Sequence, residues 1–191
     1  HIKKVANDAG IQDVKQDKYG NIWYDIPASS GCENWKKLCI QSHMDMVWEK
    51  DKEQTVTFDH PVTVKDTTAD GKEVIHTVNY QSSLGADNGA GLSVELALTT
   101  HQTFKHGLIR CIYTCDEEEG MVGASKMGIM EDGTEVNVVD STQGFNYLLN
   151  TDAEQEGQIF VSCAGGYNGE YRIPEMPFED LESNDHLYTL H

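Results

Sequence analysis

An apolar run of strand length at residues 108–114 passes through Cys115 into Asp116-Glu117-Glu118-Glu119-Gly120. A chain built this way has to bury a strand while holding four adjacent carboxylates at its end. Such charges repel one another unless water or a cation neutralises them. A solvated loop is the ordinary outcome. The position at a strand's end and before a helix gives the alternative, in which neighbouring carboxylates divide the roles of metal ligand and general base.

The rest of the chain repeats the theme of strand, loop and helix. Residues 21–26, 37–41, 136–139, 147–149 and 158–162 read as strands, and a polar turn at 29–34 bounds the first two. Ile2, Val5, Ala6 and Ala9 share one helical face before Gly10. Residues 92–98, apolar except Ser93 and Glu95, suit a buried helix, and 121–130 have helical character despite their glycines. This alternation predicts α/β layers. A polar excursion over residues 49–81 interrupts it, with 62–64 and 74–78 flanking the turn signal Ala69-Asp70-Gly71, which predicts a hairpin. Beyond Cys163, strand-like pieces at 169–173 and 187–190 are broken by Gly165-Gly166 and the acidic run 179–185, with too little apolar material for a separate core. That tail reads as a sheet-edge appendage or the start of a second domain.

With 191 residues and 38% hydrophobic content the chain can bury one core. It has no apolar run near the ~20 residues of a bilayer span and no apolar stretch of a signal peptide after its first residues. A membrane location is not expected. The 14 Lys and Arg against 32 Asp and Glu give a formal charge of −18, which repels nucleic-acid phosphates and anionic lipid alike. Cys32, Cys39, Cys111, Cys115 and Cys163 form neither a CxxC pair nor a dense disulfide pattern, so reduced, buried thiols and a cytoplasmic setting are expected.

Three further clusters join the acidic run. In Ser42-His43-Met44-Asp45, the imidazole and the carboxylate two residues on project to one side of a strand end, so Asp45 can orient a metal-binding His43. Leu84-Gly85-Ala86-Asp87-Asn88-Gly89-Ala90-Gly91 is a glycine-rich turn opening a helix; it lacks the Lys of a phosphate loop, and Asp87 would face the anion. A metal ligand or a helix cap are its two readings. Asn150-Thr151-Asp152 closes another strand. All four clusters are expected where strands end, the edge at which open α/β sheets bind ligands. One imidazole with several carboxylates and no thiolate suits catalytic Zn, Mn or Co. A carboxylate shared by two ions ~3.5–4 Å apart would be hydrolase chemistry.

In these motifs the chain resembles the M20 metallopeptidases, in particular their cytosolic nonspecific or aminoacyl-histidine dipeptidase branch. The matching stretches are residues 42–47 (SHMDMV), 84–89 (LGADNG), 116–124 (DEEEGMVGA), 150–152 (NTD) and 156–166 (EGQIFVSCAGG). The resemblance implies a three-layer α/β/α fold around a central mixed, mostly parallel sheet of the zinc-peptidase kind, here incomplete. Residues 1–166 would be part of the catalytic domain and 167–191 the start of a truncated lid or dimerisation domain.

It further implies two divalent metal ions, zinc with Co or Mn as alternatives. His43 and Asp152 would lie on one ion, Glu118 on the other, and Asp87 on both. Asp45 would orient His43, and Glu117 would be the general base. A cis peptide is implied after Asp87. Dipeptides are the implied substrates, and the implied assembly is a homodimer formed through the lid. The family's second-metal histidine and its oxyanion-binding histidine have no counterpart in these motifs; His186 and His191 read instead as sheet-edge or surface residues. With its start inside a helix, the chain reads as an internal piece of such an enzyme. The competing readings are an acidic metal-binding module without turnover, and an esterase or deacylase using the same site.

Overall fold

The computed structural model describes residues 1–52, 63–101, 103–153 and 157–162. The chain divides into two units, His1–Gln158 and Ile159–His191. The elements of the first unit are α1 (Ile2–Asp8), β1 (Lys15–Gln16), β2 (Ile22–Ile26), β3 (Lys37–His43), β4 (Thr63–Thr67), β5 (Glu73–Thr77), α2 (Ala86–Thr100), β6 (Ile109–Thr114), α3 (Val122–Ser125) and β7 (Phe145–Asn150).

Five strands form one mixed sheet in the order β1-β2-β6-β3-β7, and β4 and β5 pair separately. The pairs β1/β2 and β2/β6 are antiparallel; β6/β3 and β3/β7 are parallel. It follows that β2 alone runs against the other four. The α/β expectation holds, with a mixed sheet.

The period of two along each strand explains the two faces. Ile22, Tyr24 and Ile26 of β2, Ile40 of β3, and Ile109, Cys111 and Tyr113 of β6 point to one face, where Ile2 and Ala6 of α1 and Leu92, Leu96 and Leu98 of α2 cover them. Trp23, Cys39, Ile112 and Phe145 point to the other, against Val138, Met127 and Met130. On that second face Asp25 and Arg110, directly paired across β2 and β6, form a two-pronged ion pair at 2.7 and 2.9 Å. The guanidinium also lies over the Phe145 ring, 4.3 Å from its centroid.

The covering of the second face differs from expectation. The helix predicted over 121–130 is the single turn α3, and 136–139 make no strand. The cause is close backbone approach. A Cβ on Gly123 would lie 2.0 Å from the Cys115 carbonyl, and one on Gly128 would lie 2.0 Å from that of Val136. The chain therefore folds back as turns, joined by the single bridge Ile129↔Glu135. Residues 158–162 are not strand either. The pieces expected at 169–173 and 187–190, with Cys163, His186 and His191, lie outside the described residues.

The hairpin forms as expected around Gly71, whose φ of 84° is the left-handed geometry such a turn needs. Helix α2 is longer than residues 92–98 and buries only one side. Its buried positions, Asn88, Gly91, Glu95 and Thr99, are polar or small, while Val94 is exposed. Cys32, Cys39 and Cys111 are buried free thiols, and Cys115 is a partly buried one. Among the described residues no helix is long and apolar enough to cross a membrane.

Candidate metal centre

Because β6, β3 and β7 are parallel neighbours, their carboxyl ends reach one edge of the sheet. The registers His43↔Thr114 and Gln41↔Asn150 bring the three exits to similar height. The chain after β3 carries Asp45, that after β6 carries residues 116–119, and that after β7 carries Asp152. Asp87 arrives differently. It sits at the start of α2, not after a strand, where Asp87 (ψ 111°) and Asn88 depart from helical geometry and the Asp87–Asn88 peptide is cis. Gly85 turns the chain into this segment with φ 77°, and a Cβ there would lie 2.5 Å from Met46 Sδ.

His43 is 1% exposed and stands at the centre. Its Nδ1 donates to the Asp45 backbone carbonyl at 3.0 Å. That bond fixes the tautomer and leaves Nε2 facing Asp87 Oδ1 at 2.9 Å and Asp152 Oδ2 at 3.8 Å. The Asp45 carboxylate is more distant from the ring, 3.5 Å from Nδ1, and its other oxygen accepts the Glu118 backbone N–H at 3.2 Å. Asp45 thus holds the ring through its main chain and the acidic loop through its side chain.

Two groups of ligand atoms lie within 4.8 Å of one another: His43, Asp87 and Glu118; and His43, Glu117 and Asp152. His43, Asp87, Glu117, Glu118 and Asp152 are therefore brought together, with Asp45 beside the His43 ring. The grouping sets Glu117 beside Asp152, where the resemblance implied a base apart from the ligands.

Burial acts to lower the His43 pKa. The Asp87 hydrogen bond and the charges of Asp152, Asp45 and Asp87 outweigh it and hold the ring above its ordinary value. Glu117 is also raised, by burial first; the charge of His43 opposes this, and those of Asp152, Glu118 and Asp45 add to it. Carboxylates crowded until one holds its proton more tightly form a field that favours a cation. The donors are a nitrogen and oxygen set suited to a divalent ion. Cys115 is the thiol next to the acidic run, and burial, with the charges of Asp116, Asp45 and Asp17, pushes it up to about 11, which disfavours the thiolate a metal would need.

The acidic loop is held by residues the sequence did not single out. Asp116 and Met121 take left-handed φ values of 52° and 59°, and the Glu117 carbonyl accepts from Gly120 and Met121. Beneath it, buried Asn21 accepts from the Cys115 N–H at 3.0 Å and donates to the Gly123 carbonyl at 3.0 Å and to Asp17 at 2.7 Å. Gln41 does the same for the β7 exit. Its carbonyl accepts from Thr151 N and Oγ1, and its side chain accepts from Asn150 and donates to Thr114. A Gln inside an apolar strand and an Asn at the start of another were the available signals.

No protein-family model matches the chain. It is 34% identical over 170 residues to the cytosol non-specific dipeptidase of Escherichia coli (strain K12), covering 87% of this chain and 31% of that protein. The crystal structure of aminoacylhistidine dipeptidase from Vibrio alginolyticus superimposes with a TM-score of 0.62 at 33% identity, over 82% of this chain and 28% of that one. The aminopeptidase PepT of Bacillus cereus ATCC 10987 shares the fold, with a TM-score of 0.56 at 22% identity, over 81% of this chain and 37% of that one. The chain thus spans about a third of the length of these relatives.

Proposed function

From its homology to these dipeptidases we infer that the chain belongs to the M20 metallopeptidases and supplies the metal-binding part of a dipeptide hydrolase. The carrying observation is the arrangement at His43, where one nitrogen is tied to a carbonyl and the other faces Asp87 and Asp152. His43, Asp87, Glu118 and Asp152 would hold two divalent ions, zinc in the first instance. Bound there, such ions supply Lewis acidity that polarises a peptide carbonyl and eases deprotonation of water.

The chain's own groups do the rest. The Asp45 main-chain carbonyl orients the His43 ring by accepting from Nδ1, which turns Nε2 towards Asp87 and Asp152. Glu117 is half-buried, and its raised pKa suits a group that takes a proton from the attacking water and passes it to the leaving amine. Dipeptides are the proposed substrates and the cytoplasm the proposed location, on the E. coli relative. A homodimer formed by residues beyond 166 belongs to the same reading.

The test is zinc content per chain together with dipeptide hydrolysis, before and after Asp87→Asn. Loss of zinc and of hydrolysis in the variant is the expected result. An unchanged metal content and rate would overturn the assignment. Zinc bound without hydrolysis would make this chain a metal-binding module, and turnover confined to N-acyl amino acids would make it a deacylase.

A further inference from the structure

We propose that Ala90 and Ala153 determine specificity: they are walls of a cavity beside the centre that receives an uncharged side chain flanking the scissile bond of the dipeptide. The inference rests on the reading of Asp87 and Asp152 as ion ligands. Both carboxylates line this cavity, whose volume is about 340 Å³. That falls within the range of small-molecule sites, about 300–1,000 Å³, and is room for a whole side chain.

Two elements enclose it. The start of α2 contributes Ala86, Asp87, Asn88 and Ala90, and the exit of β7 contributes Thr151, Asp152 and Ala153. Gly91 lets the two meet, since a Cβ there would lie 2.1 Å from Thr151 Oγ1. Thr151 is in turn tied to the Gln41 carbonyl through both its N–H and its hydroxyl. The walls are therefore held before a ligand arrives, and binding has less ordering to impose.

With Asp87 and Asp152 engaged by ions, no other charged group lines the cavity among the described residues. What remains of the wall is largely methyl groups, those of Ala86, Ala90, Ala153 and Thr151. Ala86 and Ala90 lie one above the other on α2, four positions apart, and Val94, 53% exposed, continues that line away from Asp87. A charged side chain would find no partner among these groups, while an aliphatic one would lose water against them. Asn88 adds one polar element. It is 3% exposed, its Oδ1 accepts the Gly91 N–H at 3.1 Å, and its Nδ2 has no hydrogen-bond partner among the described residues. Buried donors are rarely left in that state, and a dipeptide brings carbonyl acceptors to the cavity that Asn88 lines.

The experiment measures kcat/KM of the zinc-loaded chain for Gly-Gly and for X-Gly and Gly-X dipeptides, with X as Leu, Lys or Asp, in the wild type, Ala90→Leu and Ala153→Asp. Both orders are used so that discrimination shows in whichever one places X in the cavity. In that series the wild type should prefer Leu to Lys and to Asp by about tenfold or more. Ala90→Leu fills the space and should lower the rate for Leu relative to Gly-Gly by about tenfold. Ala153→Asp, at an exposed position, supplies a counter-charge and should raise Lys relative to Leu by about tenfold. A purely structural role would lower all the rates together and leave these ratios alone. A ratio unchanged in either variant, or no preference in either wild-type series, overturns the proposal. If Ala90→Leu does not fold, Ala153→Asp decides it by the ratio of Lys to Leu. If the zinc-loaded chain turns over none of them, the same ratios are read from dipeptide affinities by calorimetry, and no measurable affinity for any dipeptide overturns this inference alone. A chain that binds no zinc overturns the metal reading and this inference with it.

Discussion

His43 Nε2 and Asp87 Oδ1 stand 2.9 Å apart although 44 positions separate them in the chain. One comes from the carboxyl end of a central strand and the other from the irregular start of the helix packed on that strand. The other face of the ring is held by a backbone carbonyl, that of Asp45. A side-chain change at Asp45 therefore leaves the ring's tautomer intact. In Asp45→Asn we expect zinc affinity to fall by less than about tenfold, the low end of what loss of an outer-shell partner costs. His43→Gln, measured beside it in the same chelator competition, should abolish tight binding.

Gly91 and Gly89 lie two residues apart on α2 and should respond in opposite ways to alanine. A Cβ on Gly91 would sit 2.1 Å from Thr151 Oγ1 and 2.3 Å from Asn88 Oδ1, so it would push on the segment that presents Asp152. Nothing lies within 4 Å of the same atom on Gly89. Urea denaturation should show Gly91→Ala less stable by about 1–3 kcal/mol. Gly89→Ala should be more stable by about 0.5–1 kcal/mol, since alanine has less freedom to lose in a helix. Zinc affinity should drop with the first and hold with the second.

The strands of the core were legible because apolar residues alternate or run together in β2, β3 and β6, and their ends were legible because carboxylates and His43 follow them at once. The acidic residues read as a cluster proved to be neighbours in space. What the sequence hid was packing chemistry. Glu95 looked like a polar interruption on an apolar helix, yet it faces inward while Val94 faces out; local pattern cannot say which side of a short helix meets the sheet. The helix expected over 121–130 gave way because Gly123 and Gly128 are there for close backbone contact, a requirement that appears only when the chain is folded. The placement of Asp87 at a kinked helix start likewise follows from no periodicity.

Asn21 supports the acidic loop from below, and its loss should be felt there. Asn21→Ala removes the acceptor for Cys115 N–H and the donor to Gly123 and Asp17, leaving buried main-chain groups without partners. A cost of about 2–4 kcal/mol is expected in denaturant melts. Amide exchange at Gly120, Met121 and Val122, whose N–H groups bond back to Glu117 and Asp116, should quicken more than exchange in β3.

The pH dependence of stability isolates Glu95. Its carboxyl is raised from the ordinary 4.5 to about 8 in the fold, so between those values the folded chain holds a proton that the unfolded chain has released. Stability from this group is complete below about pH 4.5 and is lost as pH rises towards 8, with a slope of at most about 1.4 kcal/mol per pH unit. Glutamine cannot ionise, so Glu95→Gln removes this contribution to the slope while leaving those of every other group in place. Denaturation of the two proteins at a series of pH values should give a stability difference that is small near pH 4.5 and grows in favour of the glutamine variant up to about pH 8. A difference that stays flat across that range would mean that Glu95 is ionised in the fold at neutral pH.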